Sequence, residues 1–365
     1  MRIVFTYLTA YTGNGGLEKF NQAFMSALAE CADDLHIYSL HDDAMSEESA
    51  QFSKGYAGRR ISYMSETIRA AMSADVLILG HVNLAPVAFL ARLFRPRLKV
   101  VLITHGIEVW QPMSFMGKHV IKHAHRIFAV SRHTIQRLKE IFGVDDNVVR
   151  RLPNTLGRHF ILEDIFEKNE TWLRKYGLTT KNKVILTVGR MVSGEAYKGY
   201  DKVISVLPAV VEQVPETIYL LVGKYDQKEK ERLDQLIIRK GMQGRVIFTG
   251  FIPGDAVADH FRLGDVFAMP SVNEGFGIVF IEAMAYGIPV IAGNKDGSVD
   301  ALDDGRLGTL IDPDDPQALQ EALISHLKND ALRTKQAKQQ RMQEVNAAFG
   351  YATYLDHVKN LISEL

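Results

Sequence analysis

Short apolar runs alternate with longer amphipathic stretches along almost the whole chain. The runs in the first half are Met1–Tyr7, His36–Leu40, Asp75–Gly80, Lys99–Gly106, Arg126–Ser131 and Val149–Asn154. Those in the second half are Lys183–Arg190, Thr217–Gly223, Arg245–Phe251, Asp265–Pro270 and Val290–Ala292. Each is short, bounded by polar or turn-forming residues, and reads as a buried strand, the first ending near Ala10. Between them, Leu17–Glu30, Tyr200–Val214, Lys228–Lys240 and Asp255–Arg262 carry helical spacing, and a helix pair flanks Arg126–Ser131. Strand and helix in alternation predict an α/β fold with mostly parallel sheets. Asp42–Ser53 is polar and acidic and reads as a loop.

The alternation breaks once. After Asn154 the sequence is irregular through Asp164, and a new helix begins near Glu167. A linker there divides the chain into domains at 1–160 and 161–348. Polar helices run from Gln317 to Glu344, and 349–365 is a final amphipathic helix. A length of 365 residues fits two cores better than one. No tandem repeat or low-complexity segment is present.

Composition narrows the function classes. Lys and Arg number 43, as do Asp and Glu, so the formal charge is zero. A nucleic-acid protein held by bulk charge is not indicated. The one cysteine, Cys31, excludes a disulfide framework and a cysteine-rich zinc site. No apolar run approaches the ~20 residues of a membrane span, and the first residues form a strand, not a signal peptide. A cytoplasmic location is expected, with contact at the inner face of the membrane left open.

Candidate chemistry collects just after the apolar runs, where open α/β sheets bind ligands. Gly15 and Gly16 precede a helix after the first run, in neither a dinucleotide nor a Walker pattern. His105 follows Lys99–Thr104, and His81 and Asn83 follow Asp75–Gly80. Gly189-Arg190 ends the run Lys183–Arg190, and Lys198-Gly199 stands before the next helix. Arg and Lys converging there suit a diphosphate, the one by bidentate hydrogen bonds, the other as a point charge. The densest stretch is Ser271–Gly293. A proline-ended strand leads to Glu274-Gly275-Phe276-Gly277, then to a helix whose first N–H groups, on Ile278, Val279 and Phe280, lack helical partners. Glu282 lies eight positions after Glu274 among apolar neighbours. Lys118, His119, Lys122, His123 and Arg126 interleave with Phe115, Met116, Val120 and Ile121, and Arg92, Arg95, Arg97 and Lys99 form a second basic cluster. That pattern suits an anionic lipid surface and, equally, a solvated face over a core stripe.

Glu274-Gly-Phe-Gly-x4-Glu282, with a proline-ended strand before it and Ala283-x3-Gly287-x-Pro289-Val290 after it, resembles the E-x7-E signature of retaining, nucleotide-sugar-dependent glycosyltransferases of family 4. The Gly15-Gly16 loop, the post-strand His105 and the Gly-Arg … Lys-Gly pair stand in the family's order. The spacer Met191–Tyr197 is longer than usual, and Asp300 stands where the family has Glu. The resemblance implies the GT-B architecture, two Rossmann-like domains with parallel sheets facing across a cleft. The second domain would bind the donor, and the tail would return to the acceptor-side first domain. It implies diphosphate contacts from Arg190, Lys198, Gly16 and the N–H groups of Ile278 and Val279. Ribose would fall to Glu282. The donor sugar would fall to Glu274 with Phe276 and Gly277, and to His105. The nucleobase would lie near Gly250, Phe251 and Ile252. Gly15, Gly189 and Gly275 would let backbone approach the donor. No metal is implied. UDP-sugars are favoured on family frequency, with GDP-sugars open, and the acceptor would be a glycan or lipid-linked glycan of polysaccharide biosynthesis. A GT-B sugar phosphorylase, a nucleotide-sugar epimerase and a non-catalytic nucleotide-sugar binder share these features.

Overall fold

The computed structural model describes residues 1–13, 15–43 and 53–365, the side chain of residue 255 excepted. Most of the acidic loop expected after Asp42, and Asn14 of the glycine turn, lie outside the described residues. The chain divides into two compact units. Unit 1 is Met1–Phe160 with Phe349–Leu365, and unit 2 is Ile161–Ala348.

Unit 1 holds strands β1 (Arg2–Tyr7), β2 (Asp34–Ser39), β3 (Ser53–Gly55), β4 (Val76–Leu79), β5 (Lys99–Thr104), β6 (Arg126–Ala129) and β7 (Val149–Arg151). They form one parallel sheet in the order β3-β2-β1-β4-β5-β6-β7. In the centre Ile3 pairs with Leu35 on one side and Val76 on the other. Helices such as Gly16–Cys31 and Ala85–Phe94 accompany this sheet. β4 is buried at every position, which accounts for its unbroken apolar sequence. The tail helix Tyr351–Ser363 buries Tyr354, Val358, Leu361 and Ile362. It is tied into unit 1 by Thr155 Oγ1–H donating to the Phe349 carbonyl (2.8 Å) and Tyr351 OH to Glu30 (2.9 Å).

Unit 2 holds β8 (Lys183–Val188), β9 (Thr217–Val222), β10 (Val246–Phe248), β11 (Val266–Met269), β12 (Val290–Gly293) and β13 (Thr309–Ile311). They too form a parallel sheet, in the order β10-β9-β8-β11-β12-β13. Each sheet therefore reverses its winding at one seam, between β1 and β4 in unit 1 and between β8 and β11 in unit 2. Ligand crevices of open α/β sheets form at such seams. The turns after β1, β4, β8 and β11 carry most of the residues singled out above.

Three elements escape the hydrophobic pattern. Ser-Lys-Gly of edge strand β3 has no apolar signal. The helix Arg60–Ala71 buries only a narrow stripe, Tyr63, Thr67 and Ala71. β13 is a three-residue strand. β1 ends at Tyr7, short of Ala10, because the chain there leaves the sheet for a turn held by a side chain. Phe251 likewise lies beyond β10, in the following loop.

Candidate functional site

The turn after β11 is built on Asp296, which follows the neighbouring strand β12. Its buried carboxylate accepts hydrogen bonds from Ser271 Oγ (2.7 Å) and from the N–H groups of Glu274 (2.7 Å) and Ser298 (2.9 Å). Gly297 N–H donates to the Glu274 carbonyl at 2.8 Å. The two loops are so close that a Cβ at Gly297 would stand 2.0 Å from the Gly275 carbonyl oxygen. Gly277 then takes the left-handed conformation (φ 82°) that launches the helix Ile278–Ala285. The N–H groups of Ile278 and Val279 have no acceptor among the described residues. The Phe280 N–H, expected to be free with them, donates to the Gly277 carbonyl at 3.0 Å, closing the first turn. Phe276 is buried beneath the turn. Glu282 is buried on the helix, its negative charge helping, after burial, to push the Tyr286 phenol up to about 12.

The turn after β8 comes to meet this one. Met191 N–H donates to the Lys224 carbonyl (2.8 Å), and Ser193 N–H to Asp226 (2.8 Å), so the long spacer is stitched to the loop after β9. At its far end Val272 N–H donates to the Tyr197 carbonyl (3.0 Å), which sets Lys198 beside the Ser271–Gly277 turn. The Lys198 ammonium lies along the strand end, 3.4 Å from where a Cβ at Gly189 would be. Glu195, inside the spacer, accepts from Lys198 Nζ (2.6 Å) and pairs with Arg190. Lys198 and Glu195 are largely buried, whereas the Arg190 side chain is 70% exposed.

Charge is concentrated here. Burial pushes the Glu274 carboxyl up to about 7, and Asp296 and Glu195 add to that while Lys198 and Arg190 oppose it. Lys198, Arg190, Glu195 and Glu274 thus share one electrostatic neighbourhood. Beyond β10, Phe251 presents an exposed ring with Lys224 Nζ 4.6 Å from its centroid, and Ile252 is buried beside it. Asp300, in a short helix, is also buried.

Unit 1 repeats the supporting device. Asp42, after β2, accepts from the N–H groups of Ala10 (2.8 Å), Tyr11 and Thr12 (both 3.1 Å), and from the hydroxyls of Thr12 (2.7 Å), Ser39 (2.9 Å) and Thr9 (3.1 Å). Burial alone would raise this carboxyl; the hydrogen bonds from Thr12, Tyr11, Ser39 and Ala10 outweigh it and hold it low. Gly16 opens the helix Gly16–Cys31, but the Gly15 N–H, expected to be available to a phosphate, donates to Glu18 at 3.0 Å. That is half of a capping box. His105 is half-buried. Its Nε2–H donates to the Gly80 carbonyl (2.8 Å), leaving Nδ1 as the acceptor, and its ring meets the Phe20 edge. His81 accepts from the Asn83 N–H through Nδ1 (3.1 Å), and burial lowers it to about 4. It caps its own turn as a neutral ring. Neither Asp42 nor Asp296 was visible as a site residue in the sequence. Each stands in a polar loop more than twenty residues from the turn it holds.

Among the described residues no group of three or more His, Cys, Asp or Glu is arranged to hold a metal, and no helix is long and apolar enough to cross a membrane.

Two Rossmann-like sheets, each with its candidate residues at the carboxyl-end seam, define a GT-B protein, and solved GT-B glycosyltransferases match over the full chain. HepE of Anabaena, solved with UDP and glucose, superposes with a TM-score of 0.77 at 20% identity over all of both chains. WaaG, a glycosyltransferase of lipopolysaccharide biosynthesis, superposes at 0.73 and 17% identity over 99% of both. Residues 14–156 match the profile of Glycosyltransferase Family 4 and residues 168–343 that of Glycosyl transferases group 1, and the chain belongs to this family. The GDP-mannose-dependent α-(1-6)-phosphatidylinositol monomannoside mannosyltransferase of Mycolicibacterium smegmatis is 35% identical over 156 residues, 41% of this chain and 39% of that protein. The match thus spans about two-fifths of the length of the curated relatives.

Proposed function

We propose that this protein is a retaining, metal-independent glycosyltransferase that moves a hexose from a nucleoside diphosphate sugar to a glycan or lipid-linked acceptor. The observation that carries the reading is the meeting of Arg190 and Lys198 with the Ser271–Gly277 turn at the unit 2 seam. A diphosphate leaving group gains negative charge as the glycosidic bond breaks. Fixed cations and N–H donors aimed at that charge are worth roughly 10²–10³ in rate each. Arg190, Lys198 and the N–H groups of Ile278 and Val279 take this role. Glu274, with its carboxyl near neutrality, can hold a sugar hydroxyl as donor or acceptor, with Phe276 and Gly277. Glu282 holds the ribose, and Phe251 and Ile252 receive the base. Gly16 and His105 are the donor-contacting candidates of unit 1, His105 through the acceptor nitrogen Nδ1.

Family frequency favours UDP. The mycobacterial relative is named for GDP-mannose, which brings GDP-sugars level with it. A thermal-shift panel of UDP-, GDP- and ADP-sugars identifies the base. Glu282→Ala is expected to weaken binding of the responding nucleotide; unchanged calorimetric affinity would remove its ribose role.

The same reading includes contact with an anionic membrane through unit 1. Leu93, Phe94 and Phe115 are 62%, 74% and 72% exposed, and Lys118, Lys122, His123 and Arg97 are exposed near them in sequence. A groove of about 520 Å³ is lined by Phe89, Arg92, Leu93, Pro96, His119 and His123. Apolar side chains rimmed by cations suit a lipid headgroup layer. Part of the basic cluster is also committed to the backbone. Arg92 donates to the His123 carbonyl (2.7 Å) and Arg95 to the Met72 carbonyl (2.9 Å), closing helix ends, and Lys99 is bonded to the Leu365 carbonyl. Sedimentation with anionic vesicles is the test, and absence from the pellet at every salt concentration would end the membrane reading.

A further inference from the structure

The spacer between Arg190 and Lys198 carries an acid where a donor phosphate would be expected to sit. Glu195 takes Lys198 on Oε2 at 2.6 Å and Arg190 on Oε1. Lys198 Nζ also reaches the Arg190 carbonyl at 3.4 Å, so the three groups form one cluster. The Lys198 and Glu195 side chains are only 12% and 15% exposed. A buried ammonium without an anion is costly, so the carboxylate stabilises the arrangement. Glu195 is also the residue whose backbone departs from the helical turn Ser193–Lys198, at φ −120° and ψ 22°. Its negative charge is felt by Glu274 as well.

We propose that Glu195 is the resident counter-ion of the diphosphate site, holding Lys198 and Arg190 in the absence of donor and giving up both when a diphosphate arrives. This rests on the assignment of Arg190 and Lys198 to the donor diphosphate. Binding then exchanges one carboxylate for a more highly charged anion on the same cations. Diphosphate, with more charge and more acceptor oxygens, recovers what the lost ion pairs contributed. A monophosphate recovers less. Glu195 thereby lowers affinity for every anion and selects for the diphosphate.

The experiment is calorimetry on the full chain with UDP, UMP and uridine, and GDP, GMP and guanosine. The proteins are wild type, Glu195→Gln, Glu195→Ala, Arg190→Ala and Lys198→Ala. Glu195→Gln is expected to tighten UDP or GDP by about tenfold, the scale of one charged hydrogen bond. It should narrow the gap between diphosphate and monophosphate and leave the nucleoside unchanged. Diphosphate affinity that stays equal or falls in both Glu195 variants, while Arg190→Ala and Lys198→Ala weaken it, overturns the proposal and leaves the diphosphate site standing. Unchanged diphosphate affinity in Arg190→Ala and Lys198→Ala removes the site assignment itself, as does no binding of either nucleotide by any protein. Loss of a cooperative melt in both Glu195 variants identifies a purely structural ion pair and also overturns it.

Discussion

Two turns, one in each unit, solve the same backbone problem and then diverge in charge. After β1 the chain must leave the sheet, and the N–H groups of Ala10, Tyr11 and Thr12 need acceptors. After β11 the Glu274 N–H and the Ser271 hydroxyl face the same need. In both cases one buried carboxylate, placed just beyond the adjacent strand, supplies them: Asp42 beyond β2 and Asp296 beyond β12. The parallel topology explains the recurrence. It puts the carboxyl ends of neighbouring strands side by side, so a short acid leaving one strand reaches the turn leaving the next. The surroundings differ. Asp42 is ringed by donors and held low, whereas Asp296 stands beside Glu274 and helps to raise it. The first turn is a scaffold. The second brings a proton-holding carboxyl next to two cations.

On that contrast, changes at the unit 2 turn act on chemistry as well as on folding, and changes at Asp42 in unit 1 act on folding. The largest effect is expected from Arg190→Ala or Lys198→Ala, each lowering kcat/KM by roughly 10²–10³. A change within threefold for both would strip the unit 2 turn of its special status.

Next come the two supporting acids. Asp42→Ala and Asp296→Ala each strand buried donors and should cost on the order of 2–3 kcal/mol of unfolding free energy. With the protein kept well below its melting temperature, Asp296→Ala should also weaken nucleotide binding, measured by calorimetry, more than Asp42→Ala does. Equal losses of affinity would erase the distinction between scaffold and site.

Gly277→Ala is a smaller, local change at the unit 2 turn, read in folding. The φ of 82° disfavours any side chain, and the new Cβ would stand 2.4 Å from the Phe280 ring. About 1–2 kcal/mol of destabilisation is expected, read from denaturant melts.

The last contrast is the opposite pH response of the two carboxyls. Asp42 binds its proton less tightly folded than unfolded. Its contribution to stability is complete above its unfolded value of 3.8 and is lost as pH falls through the lower folded value. Glu274 is the reverse. Its contribution is complete below its unfolded value of 4.5 and is lost as pH rises through about 7. Melts of Glu274→Gln should therefore be flatter than wild type between those two values. Those of Asp42→Asn should show less acid sensitivity. Parallel curves for Glu274→Gln and wild type would show that this carboxyl is not raised.

Short-range order was readable without coordinates. Apolar runs of strand length, their alternation with amphipathic helices and the irregular stretch after Asn154 indicate a parallel α/β chain in two parts. A helix launched by Gly277 after a proline-ended strand marks the candidate anion site. All of these are properties of residues within a few positions of one another, where spacing and backbone preference carry the information. What the sequence could not reveal was which of its 43 acidic residues support the site. Asp42 holds a turn 30 residues before it, and Asp296 meets Glu274 22 residues away. These pairings exist only once strand order makes β1 the neighbour of β2, and β11 the neighbour of β12. The Gly15 and Phe280 N–H groups looked available because the sequence shows donors, while only the folded chain shows the acceptors already facing them. Glu195 follows the same logic. In sequence it is one more acid in a long spacer, and the ties to Lys224, Asp226 and Val272 turn that spacer so that its carboxylate meets Arg190 and Lys198.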